Sequence, residues 1–185
     1  NAHHLRAHQA QAPLDAVDKD ALARWMLERQ KETTAEIKGM REPGAFIMGR
    51  NMFTPYRGEW DLTWNGWWGS EPPYHAPVYV LTHYPRETLK MEGGTTFHFI
   101  TDGIESALSK ARAAAGEKNV AIAGGAMTAN AYLAAGFIDE LRLHVAPVIF
   151  SAGERLFDGV ENLKLEPISA RGNDVITHMS YRVVH

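Results

Sequence analysis

Two strand-like runs end in glycine at points where a helix can begin: Met48-Gly49-Arg50-Asn51 and Ala123-Gly124-Gly125-Ala126. In an open α/β sheet, ligands bind beyond the carboxyl ends of the strands, where helix N-termini offer free N–H groups and the positive end of a dipole. Glycine at such a junction has no Cβ, so the backbone can approach a phosphate closely or take a conformation other residues resist. Two such termini used together suit a dinucleotide pyrophosphate. The competing reading is that Gly49 and Gly124-Gly125 only make tight turns.

Other chemistries find less support. Neither junction fits G-x-G-x-x-G or G-x-x-x-x-G-K-[ST], and G-x-S-x-G is absent. With no cysteine there is no thiolate nucleophile, disulfide framework, cysteine-ligated zinc or iron–sulfur cluster. The nine histidines show no His-Glu-x-x-His or similar spacing, so no metal is expected. His3, His4 and His8 crowd the first residues, and His98 and His144 alternate with apolar neighbours as hydrogen-bonded strand residues do. His83 is more interesting, because it follows a strand end and stands near Arg86. Four tryptophans fall between positions 60 and 68 (Trp60, Trp64, Trp67, Trp68), followed by Tyr74. That aromatic area is a core lining, a dimer face or the lid of a pocket for a flat ring.

These residues need elements to hold them. Residues 1–17 have no burying period and read as a loose arm. From Asp18 or Asp20, Leu22, Trp25, Met26 and Ile37 recur near helical spacing as far as Lys38. Ala45–Met48 is a short buried-type strand, while seven Pro or Gly residues between 54 and 77 leave no regular element there. Val78–Leu81, Thr96–Ile100 and Asn119–Ala123 read as strands. Asp102 is positioned to cap a helix running through Ala115, and a shorter helix covers Met127–Ala135 before Gly136. Leu141–Val145, Val148–Phe150, Leu163–Ile168 and Val175–Val184 close the chain as strands. Alternating strands and helices followed by consecutive strands predict an α/β fold, part parallel with an antiparallel edge.

The 185 residues suit one domain spanning 1–185, with 45% hydrophobic and 22% charged residues excluding a disordered or collagen-like chain. A net charge of −3 gives no electrostatic footprint for nucleic acid or membrane surfaces. No apolar run approaches the ~18 residues of a membrane span, and the start lacks a signal-peptide core. The expected location is the cytoplasm.

The series Ile47-Met48-Gly49-Arg50, Val80-Leu81-Thr82, Ala123-Gly124-Gly125-Ala126, Gly136-Phe137-Ile138-Asp139-Glu140-Leu141 and Pro147-Val148 through Leu156-Phe157 resembles the dihydrofolate reductase-like superfamily. Within it the chain looks closest to the reductase domain of the bifunctional riboflavin-biosynthesis deaminase-reductase and its stand-alone bacterial relatives. Gly66-Trp67-Trp68-Gly69 to Pro72-Pro73-Tyr74-His75, with Met91-Glu92-Gly93-Gly94-Thr95-Thr96-Phe97, is typical of one stand-alone group. The resemblance covers roughly Ala45 to Val184.

It implies a three-layer α/β fold: a central, mostly parallel sheet with an antiparallel C-terminal edge and helices on both faces. It also implies a cis Gly124–Gly125 peptide and NADPH as hydride donor. Gly49, Arg50 and Asn51 would meet the pyrophosphate or the adenosine 2′-phosphate, and Thr82 and His83 the adenosine ribose. Gly124, Gly125, Ala126 and Met127 would meet the pyrophosphate and nicotinamide ribose. Arg50 favours NADPH over NADH, since a guanidinium matches a phosphate dianion.

The chain also departs from the family. Met52 stands where the folate enzymes often carry a hydroxyl, and Thr128 where they carry a tyrosine. The family's opening strand, with its Ser-Leu-Asp-Gly-like segment, has no counterpart in Asn1–Val17. The acidic residue that faces the pterin has no clear counterpart either, so dihydrofolate itself is not the expected substrate.

The expectation is thus an NADPH-dependent reductase acting on a small flat substrate, pterin- or pyrimidine-like, near Trp60, Trp67, Trp68 and Tyr74. No catalytic side chain is assigned; water or an unidentified acid supplies the proton. A non-catalytic nucleotide-binding protein and a flavin- or deazaflavin-dependent reductase are the alternatives. Relatives commonly form homodimers, and the apolar C-terminal strands suit that.

Overall fold

The computed structural model describes residues 43–149, 153–173 and 176–184. The arm over 1–17, the helix expected from Asp18 or Asp20 to Lys38 and the question of the opening strand lie outside the described residues.

Four strands form the parallel core: β1 (Ala45–Gly49), β2 (Pro77–Leu81), β4 (Thr96–Ile100) and β5 (Val120–Ile122). The two-residue β3 (Leu89–Lys90) pairs antiparallel with β4, and the order across the sheet is β3-β4-β2-β1-β5. Strand residues alternate between two apolar layers, as a sheet covered on both faces requires. Ala45, Ile47, Tyr79 and Ile100 face one side, where they meet Ala107, Leu108, Ala111 and Ala115 of helix α2 (Ile104–Ala115). The alanines at four-residue spacing let that helix sit close: a Cβ on Gly44 would lie 2.8 Å from the Ala115 backbone. Tyr132 of helix α3 (Ala126–Ala134) enters the same layer and donates to Ile104 O at 2.8 Å, and burial pushes its phenol up to about 12.

The other face carries Met48, Val78, Val80 and Phe97. Among the described residues its cover is the one-turn helix α1 (Arg50–Phe53) and the segment that follows, with Phe53, Trp60, Trp64, Trp68 and Tyr74 packed down. No strand or helix interrupts 54–76, as its prolines and glycines predict.

The remaining strands form a three-stranded antiparallel sheet of their own, ordered β6-β8-β7, from β6 (Glu140–Val145), β7 (Lys164–Gly172) and β8 (Thr177–Val184). Leu141, Val183 and Leu165 pack from it against Leu133 and Ile138. The fold class is therefore the expected mixed three-layer α/β arrangement, with the antiparallel part in a separate ladder. Among the described residues no helix is long and apolar enough to cross a membrane.

Three local expectations need correction. Val148 and Ile149 are not strand: Pro147 has no N–H to give a ladder, Val148 N–H closes on Ala146 O at 2.8 Å, and Ile149 is 99% exposed. Phe150 lies outside the described residues. Asp102 does not cap α2, whose N-cap is Gly103 with φ 95; its carboxylate instead accepts from Ser106 Oγ at 2.7 Å and Lys110 Nζ at 3.2 Å. Strand β3 was not expected, being too short to show a period, whereas helix α1 begins at Arg50, where the Met48–Asn51 junction places a helix start.

Candidate functional site

From β1 the chain moves outward on one side, through β2 and β4, and then crosses by α2 to β5 on the other side of β1. The strand order reverses between β1 and β5, and their carboxyl ends flank the crevice where α/β sheets take ligands. Gly49 and Gly124-Gly125 stand at those two ends. Ala123 N–H donates to Ile47 O at 2.7 Å, and Gly49 N–H donates to Gly124 O at 3.0 Å, which locks the two junctions side by side.

Each glycine has its own reason. A Cβ on Gly49 would collide with Thr128 Oγ1, in the first turn of α3. Gly124 has φ 103, a backbone few side chains accept, and the Gly124–Gly125 peptide is cis. Gly125 has ordinary φ, and a Cβ there would meet nothing within 4 Å among the described residues, which leave open space over the N-terminus of α3. No acidic side chain occupies that first turn, and among the described residues no side chain caps it. The leading N–H groups of Ala126, Met127 and Thr128 are those a helix cannot satisfy internally. Met127, 69% exposed, stands at the rim.

Across the crevice, Arg50 opens α1. Its guanidinium lies 4.0 Å from the Trp60 ring centroid and 5.0 Å from that of Tyr84, and Nη2 reaches Glu59 O at 3.4 Å. Nε is buried with no hydrogen bond among the described residues. Thr82 builds the turn that brings Tyr84 there: its Oγ1 accepts from Tyr84 N–H at 3.1 Å. Tyr84 O in turn receives Trp60 Nε1–H at 2.9 Å. His83 is exposed on the same turn, and Asn51, also exposed, accepts from Arg57 through Oδ1.

Arg86 is the residue that sequence reasoning left out of the site. Its guanidinium sits 5.2–5.6 Å from the rings of Phe99, Trp60 and Phe53, with Nη1 buried and unpaired among the described residues. Desolvation lowers its pKa, opposed by Asp61. Nη2 reaches Leu62 O at 3.4 Å, so Arg86 also fastens the tryptophan segment. Its sequence signal was position alone, a few residues beyond Thr82 and His83.

The four predicted substrate aromatics separate. Trp60 is at the carboxyl end of the sheet with Arg50, packed edge-on to Phe99. Trp68 and Tyr74 cover the amino-terminal half, against Phe97 and Phe46, and burial raises the Tyr74 phenol to about 12. Trp67 is 55% exposed and meets only the edge of Trp64 among ring contacts of the described residues. Met52 links the two regions: it packs into the aromatic layer, and its Sδ lies 3.8 Å from where a Cβ on Gly124 would be. Beyond Met127, a cavity of about 290 Å³ separates the outer side of α3 from the turn at Glu154–Gly159.

The family model of the RibD C-terminal domain matches residues 16–177. No functionally curated protein matches the chain significantly in sequence. Among solved structures, a protein provisionally assigned to riboflavin biosynthesis from Shewanella sp. PV-4 superposes with a TM-score of 0.57 at 22% identity, covering 77% of this chain and 75% of that one. Dihydrofolate reductase from Enterococcus faecalis, complexed with NADP(H), gives a TM-score of 0.55 at 17% identity, with 84% and 83% covered. The Thermotoga maritima diaminohydroxyphosphoribosylaminopyrimidine deaminase/5-amino-6-(5-phosphoribosylamino)uracil reductase gives 0.51 at 16% identity, covering 80% of this chain. This chain spans 48% of that protein's length. These likenesses identify the fold as dihydrofolate reductase-like.

Proposed function

Because the chain belongs to the RibD C-terminal domain family, we propose that it is a reductase of the dihydrofolate reductase-like superfamily that uses NADPH. The observation that carries the reading is Arg50: a guanidinium held against Trp60 at the end of β1, with a buried Nε that lacks a partner among the described residues. A dianionic phosphate would supply the missing acceptor.

The residues present fit such a cofactor. The open space over Gly125 and the uncapped first turn of α3 suit a pyrophosphate, which Gly49, Gly124, Gly125, Ala126 and Met127 would border. Arg50 and Asn51, with the Thr82–Tyr84 turn bearing His83, would hold the adenosine end. NADPH, when bound, supplies the hydride. The chain's own residues bind and orient: Arg50 fixes the phosphate, and the Gly49–Gly124 hydrogen bond sets the distance between the crevice walls. Met52 and the aromatic layer keep one side dry. The substrate is a small flat ring, pterin- or pyrimidine-like, taken up beside Met52 and the tryptophan segment, and solvent provides the proton.

Thermal stability in NADPH, NADH, flavin mononucleotide and buffer alone tests this. A ligand at ~100 times its dissociation constant adds about 2.7 kcal/mol, or roughly 5–11 °C for a domain of this length. The expected result is a rise with NADPH that exceeds the rise with NADH. A rise with flavin mononucleotide alone would replace the nicotinamide reading with a flavin one, and no rise with any would overturn it in favour of a protein without a nucleotide site.

A further inference from the structure

The three-stranded sheet carries a second convergence of side chains, remote in sequence from the glycine junctions. His144 on β6 and His178 on β8 are directly opposed in the ladder. Their Nδ1 atoms are 2.5 Å apart, with ring centroids at 4.8 Å and planes inclined at 73°. For two imidazoles to meet nitrogen to nitrogen, one Nδ1 carries the proton and the other offers its lone pair. With that proton removed, both Nδ1 lone pairs aim at the point between the rings. We propose that this point is a two-histidine site for a late first-row divalent metal ion, zinc, copper or nickel, which takes the place of the shared proton as that proton leaves Nδ1 for the same ring's Nε2 or for solvent.

The geometry allows the exchange. Zinc–nitrogen bonds of about 2.0–2.1 Å at a tetrahedral angle place two ligand nitrogens about 3.3 Å apart. Small side-chain rotations reach that opening, since His144 is exposed and His178 is not buried. The Cβ positions are set by β8, which is laddered to β6 on one side and β7 on the other.

The surroundings choose the metal class. In the same cross-strand row, Arg171 of β7 stands opposite His178. Two residues along β6, Arg142 is paired with Glu140 at 2.6 Å. A pair of imidazoles offers nitrogen lone pairs, whereas calcium and magnesium need oxygen ligands. It suits an ion bound through nitrogen, with copper strongest and zinc and nickel following. Water completes the coordination.

The test uses the full chain carrying H3A, H4A and H8A, so that histidines of the arm contribute nothing. Zinc chloride is titrated by calorimetry and copper(II) by its ligand-field absorption. The expected result is one equivalent bound, with H144Q and H178Q each weakening it by about tenfold or more. H178C should retain zinc, because a thiolate replaces the imidazole as ligand. Should a glutamine variant lower the metal-free melting temperature, H178C decides: loss of zinc there overturns the proposal and retention supports it. Binding that survives in both H144Q and H178Q, or no binding once the arm histidines are gone, overturns it and leaves the pair as a hydrogen bond between strands.

Discussion

Thr128, in the first turn of α3, holds its hydroxyl in the space that a side chain on Gly49 would have to occupy. The backbone of Gly49 is ordinary, with φ −77 and ψ 156, so sterics alone exclude other residues there. Gly49→Ala should therefore cost about 1–3 kcal/mol, the usual range for overpacking. Thr128→Ala in the same chain should recover most of that loss. A double-mutant cycle by urea unfolding checks it, and simple additivity of the two changes would sink the steric account. Since the two residues join β1 to α3 across the crevice, the single variant should also weaken NADPH, and the double variant should restore it.

The phosphate-reading role of Arg50 predicts an asymmetric loss. Hydrogen bonds to charged groups contribute about 1.5–3 kcal/mol, so Arg50→Ala should weaken NADPH roughly 10- to 100-fold. NADH, lacking the 2′-phosphate, should change little. Dissociation constants for both nucleotides from fluorescence titration decide the matter, and equal losses would remove Arg50 from the phosphate. Trp60→Leu should act in the same direction but more weakly, because it withdraws the ring under the guanidinium and removes the shorter of the two hydrogen bonds to Tyr84 O, leaving the 3.4 Å contact from Thr82 Oγ1.

Much of this site was legible in sequence because its parts are local. Strand, glycine and helix start follow one another at Gly49 and Gly125, and the short apolar run Ala45–Met48 places its strand end within a residue. What escaped depends on long-range pairing. Arg86 joins the cluster only because β2 and the tryptophan segment meet, 24 residues apart at the Trp60–Tyr84 bond. His144 and His178 are 34 residues apart, beyond any motif spacing, and meet through the β6–β8 register. The tryptophans misled in another way: composition gives their area but not their direction. In the fold Trp60 turns to the carboxyl end, Trp68 and Tyr74 to the amino end, and Trp67 to solvent.

Asp102 gives a prediction about pH. Bonds from Ser106 and Lys110 hold its carboxyl below the ordinary carboxylate range. A depressed folded-state pKa contributes stability that is present above the unfolded value, about 3.9, and is lost as pH falls through the folded one. Asp102→Asn should thus reduce stability at neutral pH and narrow its gap to the parent protein in acid. Melting temperatures of both proteins across that range check the sign, and a gap that stays constant with pH would show that the carboxylate's charge is not what Ser106 and Lys110 stabilise. The group is exposed, so the effect should shrink with salt.

Asn130 offers the sharpest test of how α3 controls the turn beside it. The residue is buried on that helix and uses both ends of its amide: Nδ2 donates to Arg155 O at 2.9 Å, and Oδ1 accepts from Phe157 N–H at 2.7 Å. Phe157 has φ 74, an unfavourable conformation for a non-glycine residue that persists only where its surroundings enforce it. Asn130→Ala should cost about 1–3 kcal/mol through the unpaired backbone groups and release the turn. Amide exchange at residues 155–159 should quicken while β1 and β2 remain protected. Asn130→Asp separates the two bonds. Its carboxylate still accepts from Phe157 N–H, but its second oxygen faces the Arg155 carbonyl, so the charged form is disfavoured and the pKa should rise above the unfolded 3.9. The sign follows: a raised carboxyl pKa makes the folded state hold its proton longer, so the variant is closest to the parent protein in acid, where the protonated acid can donate to Arg155 O. It should lose stability as pH climbs through the folded pKa. A deficit that instead grows in acid would mean that the Arg155 carbonyl does not set the environment of this side chain.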